Sequence, residues 1–177
     1  MISEQGLLFP ELDPYETKVK NIDYIDITKV KIIHKHKNRT YDYTMLPKDK
    51  YFLFKSGGIN KYMEEKGNSF PYIQNKKTGK IYTAGVSESI SYPKVSITEE
   101  IDGKIIGFYI AIHRIVAEAF IENDMPELKT LVDHKDGNRF DYRVQNLRWV
   151  TASQNSEVLR PRQLSFIEQA RMKNNDN

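Results

Sequence analysis

The fold of this chain is decided by the stretch Leu131-Val-Asp-His-Lys-Asp-Gly-Asn138, followed after seven residues by Asn146-Leu-Arg-Trp-Val-Thr-Ala-Ser-Gln-Asn155. The first part opens with two apolar residues ahead of an acid and a histidine, which predicts a short strand that delivers Asp133 and His134. Adjacent residues on a strand face opposite sides, so both side chains can serve one site only at a strand end or a loop mouth. The Asp-Gly pair that comes next supplies such a loop.

The second part predicts another strand and then a helix. Leu147-Arg-Trp-Val150 alternates between apolar and mixed positions, and Trp149 in it is a better fit to the core than to base stacking. Thr151 and Gln154, three residues apart, form a capping-box signal, which places Asn155 in the first or second turn of the helix. Strand, loop, strand and helix together make a compact ββα unit.

Upstream of this unit the apolar residues follow a helical period. They lie at i, i+3, i+4, i+7 and i+8, as Ile112, Ile115, Val116, Ala119 and Phe120. This spacing is typical of an amphipathic helix with one buried stripe. We expect that stripe to pack beneath the ββα unit.

Residues 18–104 predict a β-rich region. Short runs rich in β-branched and aromatic residues predict strands at 30–33, 51–54, 80–83, 92–97 and 105–110. Turn signals lie between them at Gly57-Gly58, Thr78-Gly79 and Asp102-Gly103. The predicted fold class is therefore α+β, with a β-rich N-terminal region ahead of a helix and a ββα unit.

Composition narrows the class of protein further. The length of 177 residues suits one ordinary domain or two small lobes that share a core. No apolar run approaches the roughly 20 residues that span a bilayer, and the start of the chain lacks a secretory signal pattern. We therefore expect a cytoplasmic protein. The absence of cysteine excludes disulfides, thiolate zinc sites and thiol nucleophiles, so any metal must be bound through oxygen or imidazole.

Charge is distributed unevenly along the chain. Residues 18–104 carry 17 basic against 10 acidic side chains, whereas the net charge of the whole chain is only +3. The basic excess peaks between Lys29 and Lys61, where aromatic residues are interleaved: Tyr41, Tyr43, Tyr51, Phe52 and Phe54. Such a stretch suits a phosphate backbone, and a solvated lysine-rich surface fits it equally well.

The Asp133-His134 pair, with Asn146 and Asn155, resembles the HNH motif of the ββα-metal nucleases. The likeness is greatest to the small phage and intron-encoded homing endonucleases, in which asparagine commonly replaces the final histidine. The spacings of 12 residues from His134 to Asn146 and 9 from Asn146 to Asn155 suit that pattern. The resemblance covers about residues 105–160, reaches weakly back to residues 75–82, and does not include residues 1–70.

The resemblance implies a role for each of these positions. His134 is the general base that takes a proton from the attacking water, for which an imidazole with an ordinary pKa of about 6.5 is suited. Asp133 and Asn155 hold one divalent cation, Mg²⁺ or Mn²⁺, through oxygen; zinc fits that donor set less well. Asn146 holds the loop that aims His134.

The resemblance also implies a partner, double-stranded DNA, and a hydrolysis that leaves a 5′ phosphate and a 3′ hydroxyl. One ββα unit with one metal nicks one strand, so we expect a monomer or weak dimer, in the host cytoplasm if a phage encodes it, with no membrane association. Candidate DNA contacts are the basic side chains near the motif: His113, Arg139, Arg143, Arg148, Arg160 and Arg162. For His113, a capping or packing role at the helix start is a competing interpretation.

The expected organisation has four parts: an arm at 1–17, a basic β-rich region at 18–104 that is a candidate DNA-binding module, the HNH nuclease domain at 105–160, and a short C-terminal helix and tail at 161–177. The chain departs from the family at Phe140-Asp141-Tyr142, where asparagine is common. It also leaves no room after Asn155 for a large helical DNA-reading domain. His34 and His36 share a strand face, where a basic surface is a better fit than a metal site.

Two other functions compete with that of a nuclease. The fold could serve as a nucleic-acid-binding module that does not cut, or the protein could have a structural or protein-interaction role. The first predicts DNA binding without cleavage, and the second predicts no salt-dependent DNA binding.

Overall fold

The computed structural model describes residues 17–30, 43–63, 67–85 and 92–157, and it confirms the α+β class. Its strands are β1 (Tyr24–Asp26), β2 (Tyr51–Gly58), β3 (Phe70–Asn75), β4 (Ile81–Tyr82), β5 (Lys94–Ile101), β6 (Lys104–Ala111), β7 (Leu131–His134) and β8 (Leu147–Val150). Helix α1 is Ile112–Phe120, and a second helix, α2, is described over residues 152–157.

The first four strands form one antiparallel sheet in the order β1-β2-β3-β4. Alternation along the strands turns one face to the core, where Leu53 and Ile73 are cross-strand partners and fully buried. Phe54 and Tyr72 stack on the opposite face with ring centroids 4.8 Å apart. The patterns at 51–54 and 80–83 predicted two of these strands, while β1 and β3 were not predicted.

The pair Gly57-Gly58 is not the turn that the sequence predicted. Both residues belong to β2, and the pairing with β3 shifts between Phe54 and Gly58, which marks a bulge. A Cβ atom at Gly58 would lie 2.7 Å from Cβ of Tyr72 and 2.9 Å from the carbonyl oxygen of Phe70. Glycine is needed here because the neighbouring strand passes too close for a side chain.

Strands β5 and β6 form a hairpin whose turn was predicted correctly. Asp102 and Gly103 have φ angles of 51° and 73°, the left-handed pair that a two-residue hairpin turn requires. The turn at Thr78-Gly79 is also confirmed, with the Gly79 amide donating to the Asn75 carbonyl at 2.8 Å. Beyond its turn the β5–β6 hairpin leads directly into α1.

Helix α1 confirms the predicted apolar stripe, since all five stripe residues are at most 2% exposed. It is preceded by a β strand without a side-chain cap, and its last backbone bond runs from the Ile121 amide to the Ala117 carbonyl at 3.0 Å. The helix packs against β2, β6, β7 and β8. Through its contacts with β7 and β8, helix α1 supports the ββα unit.

The N-terminal part is fastened to α1 and to the ββα unit. The Lys20 amide donates to the carbonyl of Phe120 at 2.8 Å. The neighbouring residues Val19 and Ile121 form a β-bridge. Side chains of both parts join one continuous core. In it Phe70 of β3 packs edge-on against Tyr142, with ring centroids 5.3 Å apart.

Three of the described aromatic residues in the basic stretch are buried. Tyr43 and Tyr51 are 6% and 1% exposed and belong to the core, because the local fold turns them inward. Phe52 is also largely covered, and Lys76 lies over its ring at 4.8 Å.

Several predictions fall on parts of the chain outside the described residues. They are the strand at 30–33 beyond its first residue, the arm before residue 17, the C-terminal helix and tail at 161–177, Tyr41, His34, His36, Arg160 and Arg162. Among the described residues, no helix is both long enough and apolar enough to cross a membrane.

Candidate active site

Strands β7 and β8 form the antiparallel hairpin that the sequence predicted, and they position the first two candidate residues. Asp133 and His134 are the last two residues of β7, and they are only 5% and 4% exposed. Across the hairpin, Asp133 is the register partner of Arg148 and His134 that of Leu147. Asp133 and His134 are therefore consecutive residues at one strand end, each with its own cross-strand partner.

The loop that leaves His134 turns sharply and is closed by Asn146. The Gly137 amide donates to the His134 carbonyl at 2.8 Å, with Gly137 at a φ of 77° that favours glycine. The side-chain oxygen of Asn146 accepts from the Asp136 amide at 3.2 Å, and its nitrogen donates to Oδ1 of Asp136 at 2.9 Å. The Asn146 carbonyl accepts from the amide of Lys135 at 2.8 Å.

The far side of the same loop is held by residues that depart from the family pattern. Nδ2 of Asn146 also donates to the Asp141 carbonyl at 2.8 Å, and the buried Asp141 carboxylate accepts from Nε of Arg143 at 2.7 Å. Nδ2 of Asn60 donates to the carbonyl of Phe140 at 2.7 Å. The Phe-Asp-Tyr sequence thus anchors the loop to the N-terminal part and does not loosen it.

Arg148 lies directly against Asp133. Its Nε and Nη2 donate to Oδ2 of Asp133 at 2.9 Å and 2.7 Å, and the two side chains are only 13% and 6% exposed. The pair follows from the strand register, which places the two residues opposite each other. A buried carboxylate requires such compensation, and the guanidinium supplies it.

The imidazole of His134 belongs to a cluster of three rings. Its centroid lies 5.9 Å from the ring of Tyr92 and 5.4 Å from that of His113, while Tyr92 and His113 stack at 4.6 Å. Tyr92 is 41% exposed and forms the solvent side of the cluster. His113, in the first turn of α1, lies against both other rings, which fits the packing interpretation, and its contact with phosphate stays a prediction.

Burial sets the charge state of His113. It lowers the pKa of His113 to about 3, and the nearby His134, Arg114 and Lys94 add to the effect. His113 is therefore neutral near physiological pH. Its buried Nδ1 has no hydrogen-bond partner among the described residues, which makes the stacked rings its main contact.

Arg114 and Glu118 couple α1 to the base of β7. Nη2 of Arg114 donates to the Thr130 carbonyl at 3.0 Å, and its Nε lies 3.4 Å from Oε1 of Glu118. The Arg114 guanidinium also lies over the Trp149 ring, which is buried as expected. Burial raises the pKa of Glu118 to about 7, although Arg114 and Lys20 act in the opposite direction.

Asn155 is delivered by α2, and the predicted capping box is present. The Gln154 amide donates to Oγ1 of Thr151 at 3.2 Å, and the Thr151 amide donates to Oε1 of Gln154 at 2.9 Å. The Asn155 amide donates to the Thr151 carbonyl at 3.0 Å, and the side chain is half-buried. Because α2 directly follows β8, Asn155 lies on the element next to the hairpin that carries Asp133.

The donor set fits a hard cation bound with few protein ligands. No group of three or more His, Cys, Asp or Glu able to hold a metal occurs among the described residues. A site built from the Asp133 carboxylate and the Asn155 amide oxygen would leave the remaining positions to water and phosphate, as Mg²⁺ sites often do. The guanidinium on Asp133 shows that this carboxylate already sits beside a positive charge.

The arginines expected to contact DNA fall into different environments. Arg139 is exposed on the loop, in keeping with the expectation, and Arg143 is paired with Asp141. Arg148 is paired with Asp133, and its contact with phosphate stays a prediction. The sequence did not predict these two pairs, because both depend on local geometry and register and not on residue type.

Tyr92 and Asn60 are site residues that sequence reasoning missed. Tyr92 was counted only as the start of a strand, and Asn60 was not considered. Both reach the ββα unit from distant parts of the chain through tertiary packing. The sequence around Tyr92 and Asn60 carries no local signal of a site role. The structural sign at position 60 is that the polar residue Asn60 is only 2% exposed.

Comparison with known proteins supports the resemblance seen in the motif. Residues 111–157 match the model of a family described as HNH endonuclease. Two proteins of Acanthamoeba polyphaga mimivirus described as uncharacterised HNH endonucleases, L247 and L245, are 37% and 30% identical over 99 and 104 residues. These matches cover 55% and 54% of this chain, which spans only 23% and 31% of the relatives' own length.

Among solved structures, the chain is similar to one that concerns DNA binding and cleavage by the HNH homing endonuclease I-HmuI. The match has 24% sequence identity and a TM-score of 0.49, and it covers 86% of this chain and 68% of that one. The matched family segment begins at the last residue of β6 and ends at the last described residue of α2. The segment that matches the HNH endonuclease family model, residues 111–157, comprises α1, the β7–β8 hairpin and α2, and we call it the HNH unit.

Proposed function

We propose that the protein is a metal-dependent endonuclease that hydrolyses phosphodiester bonds of double-stranded DNA. The observation that carries the proposal is the strand end at which Asp133 and His134 are both buried, followed by a loop that Asn146 closes from both sides. A loop tied so closely fixes the direction in which His134 points. A binding module has no need of that constraint.

The roles of the chain's own residues follow from this arrangement. His134 takes the proton of the attacking water, with its ring packed beside those of Tyr92 and His113. Asn146 positions His134 through the loop and does not touch the substrate. Asp133 and Asn155 would hold one Mg²⁺ or Mn²⁺, which when bound stabilises negative charge on the phosphate and on the departing 3′ oxygen.

The products would be a 5′ phosphate and a 3′ hydroxyl. A single ββα unit holds one reaction centre, so a monomer would nick one strand, and a double-strand break would require a second unit or a second event. A cytoplasm is the compartment in which we expect it to meet DNA, that of the host if a phage encodes it. Arg139 is the exposed candidate for a phosphate contact beside the loop.

Nicking of supercoiled plasmid tests this proposal. We expect nicked circles with Mg²⁺ or Mn²⁺ and none with chelator. The variant His134→Ala should lose cleavage by at least about 100-fold while its DNA affinity and melting temperature stay near those of the parent. The matched control is Glu122→Gln, an exposed position just beyond α1 and outside the ring cluster, which should cut at the parent rate.

Two results would contradict the proposal. If the His134→Ala variant cuts as fast as the parent, His134 is not the base. If the parent binds duplex DNA but cuts with neither metal, the chain is a non-cleaving nucleic-acid-binding module on the same fold. Absence of any salt-dependent DNA binding would instead favour a structural or protein-interaction role.

A further inference from the structure

Two cations compete for one carboxylate in the proposed active site. Two donor nitrogens of Arg148, Nε and Nη2, converge on Oδ2 of Asp133 at 2.9 Å and 2.7 Å. The pair is nearly excluded from solvent, and the β7–β8 register holds it in place. An arginine remains charged at every physiological pH, so this positive charge cannot be removed by loss of a proton.

A divalent ion that approaches Asp133 therefore meets a guanidinium already bound there. Like charges at such a distance repel strongly where water is scarce, because the local dielectric constant is low. The ion should therefore bind the carboxylate less tightly as long as Arg148 stays on Oδ2 with its charge uncompensated. A DNA phosphate oxygen is well suited to neutralise it, since guanidinium binds phosphate in the same forked geometry as it binds carboxylate.

We propose that Arg148 is an internal counter-cation of Asp133 that weakens binding of the divalent metal until DNA is present. On DNA, the guanidinium transfers from Asp133 to a backbone phosphate, and the carboxylate becomes available to the metal. Metal and DNA binding are then coupled, and by thermodynamic linkage each strengthens the other by the same factor. This inference rests on the proposed function, specifically on Asp133 as a metal ligand.

Metal binding without DNA is the first test, with Mn²⁺ as the probe and isothermal titration calorimetry as the measurement. Arg148→Met keeps most of the apolar stem and removes the charge. It should bind Mn²⁺ at least about fivefold more tightly than the parent. Lys55→Met is the matched control, because it removes an equal charge from an ion pair on the N-terminal sheet and should leave Mn²⁺ affinity unchanged.

Thermal unfolding gives a second readout that does not depend on activity. Without metal, Arg148→Met leaves a buried carboxylate uncompensated, so its melting temperature should fall below that of the parent. Saturating Mn²⁺ should then raise the melting temperature of Arg148→Met by more than it raises that of the parent. Should Arg148→Met fold poorly, Arg148→Gln serves in both experiments with the same expectation, because its amide can still donate to Asp133.

Coupling to DNA is measured in the His134→Ala background, which should not cut. Anisotropy of a labelled duplex with and without Mn²⁺ gives the coupling factor. We expect that factor to be smaller in His134→Ala with Arg148→Met than in His134→Ala alone, because the transfer of Arg148 to phosphate is then missing. An equal coupling factor in the two proteins would overturn the transfer step.

The outcomes separate this inference from the proposed function through Asp133→Asn. If Asp133→Asn abolishes Mn²⁺ binding and Arg148→Met tightens it, the results support both the proposed function and the counter-cation role of Arg148. If Asp133→Asn abolishes Mn²⁺ binding but Arg148→Met leaves the affinity unchanged, Asp133 remains a ligand and the counter-cation role of Arg148 is overturned. If Asp133→Asn binds Mn²⁺ as well as the parent does, the assignment of Asp133 is wrong and the counter-cation falls with it.

Discussion

At the scale of single residues, the candidate site depends on contacts between side chains that are far apart in sequence. His134 was recognisable from its motif, but the rings that hold it were not. Tyr92 comes from the segment before β5, and it stacks on His113 at 4.6 Å while its ring lies 5.9 Å from that of His134. The proposed base is therefore aimed by its own loop on one side and by a stacked aromatic ring on the other.

The ring of Tyr92, and not its hydroxyl, should matter for cleavage. We expect Tyr92→Phe to retain the parent rate because the stack is preserved. Tyr92→Leu should lower kcat by about tenfold, since a small displacement of a catalytic group is costly, with KM and melting temperature little changed. Single-turnover nicking under saturating protein measures the difference. Equal rates for Tyr92→Leu and Tyr92→Phe would show that the ring does not position His134.

At the scale of elements, short sequence patterns correctly predicted those parts of the fold that depend on residues close together in the chain. The stripe of α1, the Thr151–Gln154 capping box and the Asp102-Gly103 turn are all confirmed, because each depends on residues within a short stretch of chain. The pair Gly57-Gly58 was misassigned as a turn, since a bulge and a turn both favour glycine. Only the passage of β3 beside Gly58 distinguishes the two.

The same division applies to the candidate site. The motif predicted that Asp133, His134 and the Asn146 loop belong together, and in the structure they lie on one hairpin and its loop. It did not predict the contact between Arg148 and Asp133, because that contact depends on which residues face each other across β7 and β8. Residue type alone suggested a phosphate contact for Arg148.

Helix α1 contains a group whose titration should make stability depend on pH. Burial raises the pKa of Glu118 from 4.5 to about 7, so the protonated form is favoured in the folded state. The stabilisation from that proton is fully present below pH 4.5 and is lost as pH rises through about 7. The loss should be on the order of 2 kcal/mol.

Glu118→Gln resembles the protonated form and should escape this loss. Its free energy of unfolding should exceed that of the parent at about pH 8 and match it at about pH 4, as measured by denaturant titration. Glu122→Gln, an exposed position just beyond α1, is the matched control and should follow the parent at both pH values. If the difference between Glu118→Gln and the parent does not change with pH, the raised pKa is wrong.

At the scale of the whole molecule, the N-terminal part acts as a support for the HNH unit. One core runs through both, and the carbonyl of Phe140 in the site loop is held by Asn60. Local patterns in residues 18–104 suggested a DNA-binding module, a role that stays a prediction. What the structure adds is that this region also fixes the loop next to the proposed base.

Asn60→Ala should therefore affect cleavage although position 60 lies far from the motif in sequence. Loss of the buried bonds to Phe140 and Tyr62 should cost about 1–3 kcal/mol of stability and lower the nicking rate per folded molecule. Asn75→Ala is the matched control, because Asn75 is similarly buried but its side chain bonds within its own turn. It should lose stability and keep the nicking rate. Equal nicking rates for the two variants would contradict the supporting role of Asn60.

The bridge between Val19 and Ile121 has a consequence for protein engineering. A chimera that grafts the HNH unit alone onto another scaffold would strip the end of α1 of the strand-like partner that caps it. The carbonyl of Phe120, which accepts from the Lys20 amide, would then need a new donor. A chimera that includes the short segment around Val19 together with the HNH unit should be more stable than one cut at the boundary of the family match.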